Sequence, residues 1–108
     1  MLHFLFLLDS REPKRTPYRA ALSLEAARVL IERDVWLWGN ESQTVGPEDD
    51  NETVWTIHRE VLKNEMVLLE GIRLNEVPEG TYLLNSAPLN LGGLEGAPCR
   101  AILIDLDK

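Results

Sequence analysis

Trp55-Thr56-Ile57-His58-Arg59-Glu60-Val61-Leu62-Lys63-Asn64 runs without a break into Glu65-Met66-Val67-Leu68-Leu69-Glu70-Gly71. In the first run Ile57, Val61 and Leu62 recur at helical spacing, which predicts a short helix from Trp55 or Thr56 to about Asn64. In the second, Met66 to Leu69 is a continuous apolar run closed by Glu70-Gly71, which predicts a buried strand. A helix feeding directly into a buried strand is the repeating step of an α/β fold.

Working toward the N-terminus, residues 41 to 56 hold five acids (Glu41, Glu48, Asp49, Asp50, Glu52), no base, and Gly46-Pro47 in the middle, which predicts a solvated acidic loop. Asn51-Glu52-Thr53 inside it matches a glycosylation sequon, which without a secretion signal is read as unused. Val35-Trp36-Leu37-Trp38 is a short apolar strand stopped by Gly39-Asn40; period two puts Trp36 and Trp38 on one packing face. Ser23, with Glu25 in the first turn and Ala26, Ala27, Leu30 and Ile31 following, reads as the capped start of an amphipathic helix ending near Arg33. Asp9 to Arg19 carries Pro13 and Pro17 and predicts an irregular connection, whereas Phe4 to Leu8 predicts a strand covered on both faces.

Toward the C-terminus, Pro78 and Gly80 lead into a strand over Thr81–Ala87 that Pro88 ends. After the turn-rich Gly92, Gly93 and Gly96, Cys99 to Leu106 makes a last strand. The order β, α, β, α, β, β, β predicts one α/β domain over residues 1–108, a mixed-sheet sandwich.

The chain has 108 residues with 11 Lys+Arg against 18 Asp+Glu, a formal charge of −7 that argues against nucleic-acid and anionic-lipid partners. Met1 to Leu8 is too short to span a bilayer, and the expectation is a cytoplasmic protein without membrane contact. One cysteine excludes an internal disulfide; Cys99, with no adjacent base, is expected to pack as a small apolar residue.

Several stretches taken together resemble the cyclase family of metal-dependent hydrolases, which includes bacterial kynurenine formamidase and isatin hydrolase. They are Ile57-His58-Arg59-Glu60-Val61-Leu62, Leu69-Glu70-Gly71-Ile72, Val77-Pro78-Glu79-Gly80-Thr81-Tyr82, and Ala87-Pro88-Leu89-Asn90-Leu91-Gly92-Gly93-Leu94-Glu95-Gly96-Ala97-Pro98-Cys99-Arg100-Ala101. The second half of those proteins has a helix carrying His-Arg, a strand closing on Glu-Asn-Leu, and a Pro-Leu-x-Leu-x-Gly-x-Asp-Gly-Ser-Pro-x-Arg-Ala tail. More weakly, Leu22 to Ala27 and Gly39 to Val45 are similar to the family's helix and Gly-x-Asp-x-x-Ser-Val segment, with Glu41 in place of Asp and Thr44 in place of Ser. In the tail Glu95 replaces Asp and Ala97 replaces Ser, and Gly71-Ile72 replaces Asn-Leu.

The resemblance implies the second half of the family's swivelling β/β/α fold, a divalent metal (zinc or manganese), and hydrolysis of an amide or lactam. Its His-x-Gly-Thr-His-x-Asp-x-Pro signature, which supplies the primary ligands, does not occur in these 108 residues. The residues that carry over are His58 and Glu70, matching the family's second-half metal or acid/base pair. They stand twelve residues apart; a helix advancing about 10 Å and a strand returning about 13 Å would bring them to one edge of the sheet. That edge is the carboxyl end of a strand, where α/β sheets bind ligands. Without the family, His58 reads as a surface or hydrogen-bonding histidine, and Glu70 as a carboxylate to be paired by Arg73 or Arg100.

Two functions follow: a truncated, non-catalytic module that associates with itself or with a complementary N-terminal half, or one part of a metal-dependent amide hydrolase. More apolar strand surface than two short helices can cover favours a homo-oligomer.

Overall fold

The computed structural model describes residues 3–7 and 21–106; the Asp9–Arg19 connection lies outside them. The elements follow the expected order: β1 (His3–Leu7), α1 (Leu24–Glu32), β2 (Val35–Asn40), α2 (Asn51–Lys63), β3 (Val67–Leu69), β4 (Tyr82–Pro88) and β5 (Cys99–Asp105). The chain divides into two compact units, Met1–Glu76 and Val77–Lys108. The α/β class holds, with parallel pairing in one sheet and antiparallel pairing in another.

In the first unit β1, β2 and β3 form a parallel sheet with β2 at its centre. The strand β2 does not stop at Gly39. Gly39 and Asn40 pair with Phe6 and Leu7 of β1, and Gly39 also with Leu69 of β3, so ladder bonds on both sides hold a residue whose intrinsic strand preference is low. The two tryptophans do not share an environment: Trp38 is buried, whereas Trp36 is 58% exposed. His3 pairs with Val35 and Phe4 with Leu37, so Trp36 is an extra residue in β2 and the bulge resets the alternation.

Helix α1 begins as its sequence predicts, with Ser23 Oγ accepting from Ala26 N at 3.1 Å and Arg33 as the C-cap. Helix α2 starts at Asn51, more than a turn before the expected Trp55, and takes the sequon and the end of the acidic segment into its first turns. Asp50 is the reason: its carboxylate caps Thr53 N at 3.1 Å and also accepts from the Thr53 hydroxyl. The Thr53 hydroxyl, then the Thr53 amide, hold the Asp50 carboxyl below its ordinary value. A depressed folded-state pKa means this stabilisation is present in full above the ordinary aspartate value of about 4 and is lost as pH falls through the lower folded value. The thermal midpoint of Asp50→Ala is therefore expected to lie below that of the wild type at neutral pH, and the gap to close on acidification below about pH 4. A gap that stays constant through that range would show that the charge on Asp50 has no part in the cap.

The turn from α2 to β3 is a Schellman motif. Glu65 N donates to Leu62 O at 3.0 Å and Met66 N to Val61 O at 3.1 Å, with Glu65 in the left-handed region at φ 59°. This tight closure lets the strand follow the helix with only residues 64–66 between them. Val61 and Met66, joined by that bond, are both in the core with Leu22, Ala27, Trp38, Val45 and Ile57.

In the second unit β4 and β5 pair antiparallel from Tyr82↔Asp105 to Pro88↔Cys99. Pro88 is the last residue of β4 rather than the residue beyond it. Each strand of a two-stranded sheet has an open edge, where a missing N–H costs no ladder bond. Cys99 is exposed and not packed, because it opens β5 at the loop end of a two-stranded hairpin.

Candidate functional site

Glu70 follows the last residue of β3, so it stands at the carboxyl end of the parallel sheet. His58 lies in α2, on the turn after Val54. The structure brings the pair together: His58 Nε2 is 3.5 Å from Glu70 Oε1, with each side chain about 30% exposed (29% and 30%). The partner of Glu70 is thus His58; among the described residues no ion pair joins it to Arg73.

The imidazole is held at its other nitrogen. His58 Nδ1 lies 2.8 Å from the carbonyl of Val54, one helical turn back. A carbonyl only accepts, so Nδ1 carries the proton and donates it. In the neutral ring Nε2 then bears a lone pair, and that lone pair faces a carboxylate. Two acceptors face to face repel unless a proton or a cation lies between them. The local sequence therefore leaves Nε2 with two uses: as a base that becomes imidazolium beside Glu70, or as a ligand.

The segment bearing Glu70 is pinned to the end of β2. Gly71 N donates to Ser42 O at 2.9 Å, Ile72 N to Asn40 O at 3.1 Å, and Leu74 N to Glu41 Oε1 at 2.7 Å. Glu41, aligned with the family's Asp, thus fastens the loop after β3 with its side chain. Sequence reasoning missed Asn40 and Ser42, which are almost wholly buried and each keep an unpartnered side-chain oxygen. The available signal was two polar residues directly after an apolar strand at a ligand-binding edge.

One ion fits the pair as two of its ligands: donor atoms about 2.1 Å from a zinc ion at a roughly tetrahedral angle stand about 3.5 Å apart. The pair is not a complete centre by itself. Among the described residues no group of three or more His, Cys, Asp or Glu side chains could hold a metal.

The kynurenine formamidase of Erythrobacter litoralis is 35% identical to this chain over 85 residues, 79% of this chain and 38% of that protein. The kynurenine formamidase of Bacillus anthracis is 33% identical over 82 residues, 76% of this chain and 38% of that protein. The chain is related to the cyclase-type metal-dependent hydrolases. Solved structures agree. A potential metal-dependent hydrolase with cyclase activity is similar at TM-score 0.68 and 29% identity, over 77% of this chain and 40% of that one. A predicted metal-dependent hydrolase from Bacillus stearothermophilus is similar at TM-score 0.67 and 29% identity, over 77% of this chain and 39% of that one. No protein-family model matches the chain. This relative of the cyclase-type hydrolases spans about 38% of the length of the formamidases it matches. Among the described residues no helix is long and apolar enough to cross a membrane.

Proposed function

We propose that this chain supplies the His–Glu part of a metal-dependent amide or lactam hydrolase of the kynurenine formamidase type, and that further ligands come from polypeptide outside these 108 residues. The observation that carries this reading is the orientation of His58: Nδ1 is anchored on Val54 O and Nε2 is presented to Glu70 at 3.5 Å. A bound zinc or manganese ion would activate water and polarise the scissile carbonyl. His58 Nε2 and Glu70 would hold that ion or pass a proton between them. Because the Val54 carbonyl fixes the ring, Nε2 is the only atom of His58 that can leave and retake a proton in this role. Co-production of the chain with a polypeptide carrying the His-x-Gly-Thr-His-x-Asp half should give hydrolysis of N-formylkynurenine, lost on His58→Ala and on Glu70→Gln. Hydrolysis that survives both substitutions would end this reading.

Self-association is a second reading, favoured by the hairpin. Leu83, Ile102 and Ile104 share one face of β4–β5 and are 54%, 48% and 47% exposed. Leu84 and Leu103 pair on the other face. A two-stranded sheet with apolar side chains on both faces is marginal alone and is stabilised by a cover, from a second copy or from a complementary half. Light scattering at micromolar concentration separates the cases: a dimer supports self-association, and a monomer counts against it.

A further inference from the structure

Glu70 owes its place to bonds that lie beyond the strand ladder. Pairing of β3 with β2 ends at Gly39↔Leu69, one residue before Glu70. Directly after it the chain bends at Gly71, which stands at φ 68° in the left-handed region. The segment that follows is tied to residues 40–42. Gly71 N donates to Ser42 O at 2.9 Å and Ile72 N to Asn40 O at 3.1 Å, while Glu41 Oε1 accepts from Leu74 N at 2.7 Å across 33 residues of sequence. The first two bonds join backbone to backbone and are open to almost any residue. The third is the shortest of these and depends on one side chain, a carboxylate whose charge strengthens the bond. Leu74 is 5% exposed, so its N–H has little water to turn to. A buried donor without a partner is costly, and a segment that loses such a bond shifts until the donor is satisfied again.

The two members of the pair are therefore held by separate anchors. His58 is fixed from within α2 by the Val54 carbonyl, and Glu70 from the end of β2 by residues 40–42. The 3.5 Å between Nε2 and Oε1 is kept while both anchors hold. Glu41 is no further ligand, since among the described residues it forms no group of three with His58 and Glu70 that could hold a metal. Resting on the reading of His58 and Glu70 as a metal pair, we propose that Glu41 is a positioning residue for it: through the Leu74 amide it keeps the Glu70 segment at the distance at which one ion bridges the two side chains. In this role Glu41 acts by its reach and not by its charge. Its loss should cost what the loss of an outer group that orients metal ligands costs, about 10–100-fold in affinity.

The test is titration of the 108-residue chain with Zn2+, followed through the Nε2 shift of His58, with circular dichroism confirming the fold of each variant and hydrogen exchange reporting on the Leu74 amide. In the wild type the shift should move as Zn2+ is added. Glu41→Ala should speed exchange at Leu74 and raise the Zn2+ concentration at half-change about 10–100-fold. Glu41→Gln keeps the length and an accepting oxygen, so it should bind Zn2+ nearly as the wild type does. Glu41→Asp keeps the charge but falls one methylene short of Leu74; it should behave like Glu41→Ala, and it decides the matter should that variant fail to fold. Binding unchanged in both Glu41→Ala and Glu41→Asp overturns the positioning role and leaves the metal pair standing. Binding weakened with no change in Leu74 exchange, or weakened in Glu41→Gln as much as in Glu41→Ala, overturns the route through the amide in favour of the charge. A wild-type shift that Zn2+ does not move overturns the pair itself, and the role of Glu41 with it.

Discussion

The 108-residue polypeptide purified alone is expected to leave N-formylkynurenine and similar amides intact at any enzyme-like rate. Catalysis by a divalent ion needs a ligand set that holds it rigidly with an open position, together with walls that place the carbonyl. His58 and Glu70 are one part of such a set, and the His-x-Gly-Thr-His-x-Asp signature that resemblance assigns to the rest is not in the sequence. Binding an ion and turning over substrate are separate requirements, so uptake of Mn2+ by this chain would not alter the expectation. The assay is release of formate from N-formylkynurenine with zinc or manganese present. Turnover by the isolated chain that disappears in His58→Ala would show that these residues suffice, and would refute the division of the centre between polypeptides.

Ile57→Ala is expected to destabilise the first unit by about 2–5 kcal/mol, the range for removing a buried aliphatic side chain and leaving a cavity. Ile57 is fully buried and lies in one cluster with Ala27 of α1, Trp38 of β2, and Val61 and Met66 at the end of α2. Gly46 packs on the same side with no room for a side chain: a Cβ there would stand 3.0 Å from Val54 Cγ2 and 3.3 Å from Ile57 Cδ1. With total stabilities of about 5–15 kcal/mol for whole domains, most of the folded population is at risk. Leu62→Ala, on the exposed side of the same helix, is the control and should move stability by no more than about 0.5 kcal/mol. Urea denaturation followed at 222 nm measures both. Equal losses for the two variants would contradict the placement of the core.

The order of elements and the ends of α1 were legible because periodicity and capping agree there: Ser23, Ala27 and Arg33 do what their types suggest. The start of α2 was not, because Asp50 reads as one more charge in an acidic run until the Thr53 amide and hydroxyl are seen to donate to it, and because Val54 belongs to the apolar stripe of Ile57 and Val61. Gly39 and Asn40 look like a strand stop, and only pairing turns them into strand, Gly39 with neighbours on both sides and Asn40 with Leu7 of β1. The bulge at Trp36 has no sequence signature, so the separation of Trp36 from Trp38 could not be read. Of the site, the meeting of His58 with Glu70 followed from run lengths and resemblance together. The Val54 carbonyl that fixes the ring was visible as an i−4 relation, but whether the ring uses it depends on rotamer. Asn40 was hidden, since its orientation rests on a bond to Thr44 that no pattern announces.

The central claim is that α2 holds His58 with Nδ1 protonated and Nε2 directed at Glu70. Long-range 1H–15N correlation of the histidine side chains, assigned with His58→Gln to separate His58 from His3, measures this directly at a pH where the ring is neutral. The account predicts the Nδ1–H form for His58, with Nε2 showing the shift of an unprotonated nitrogen, and a swing in the Nε2 shift on titration with Zn2+. A neutral His58 found in the Nε2–H form would mean that the proton points at Glu70 as an ordinary hydrogen bond. That result would contradict both the anchoring on Val54 and the availability of Nε2 as a ligand.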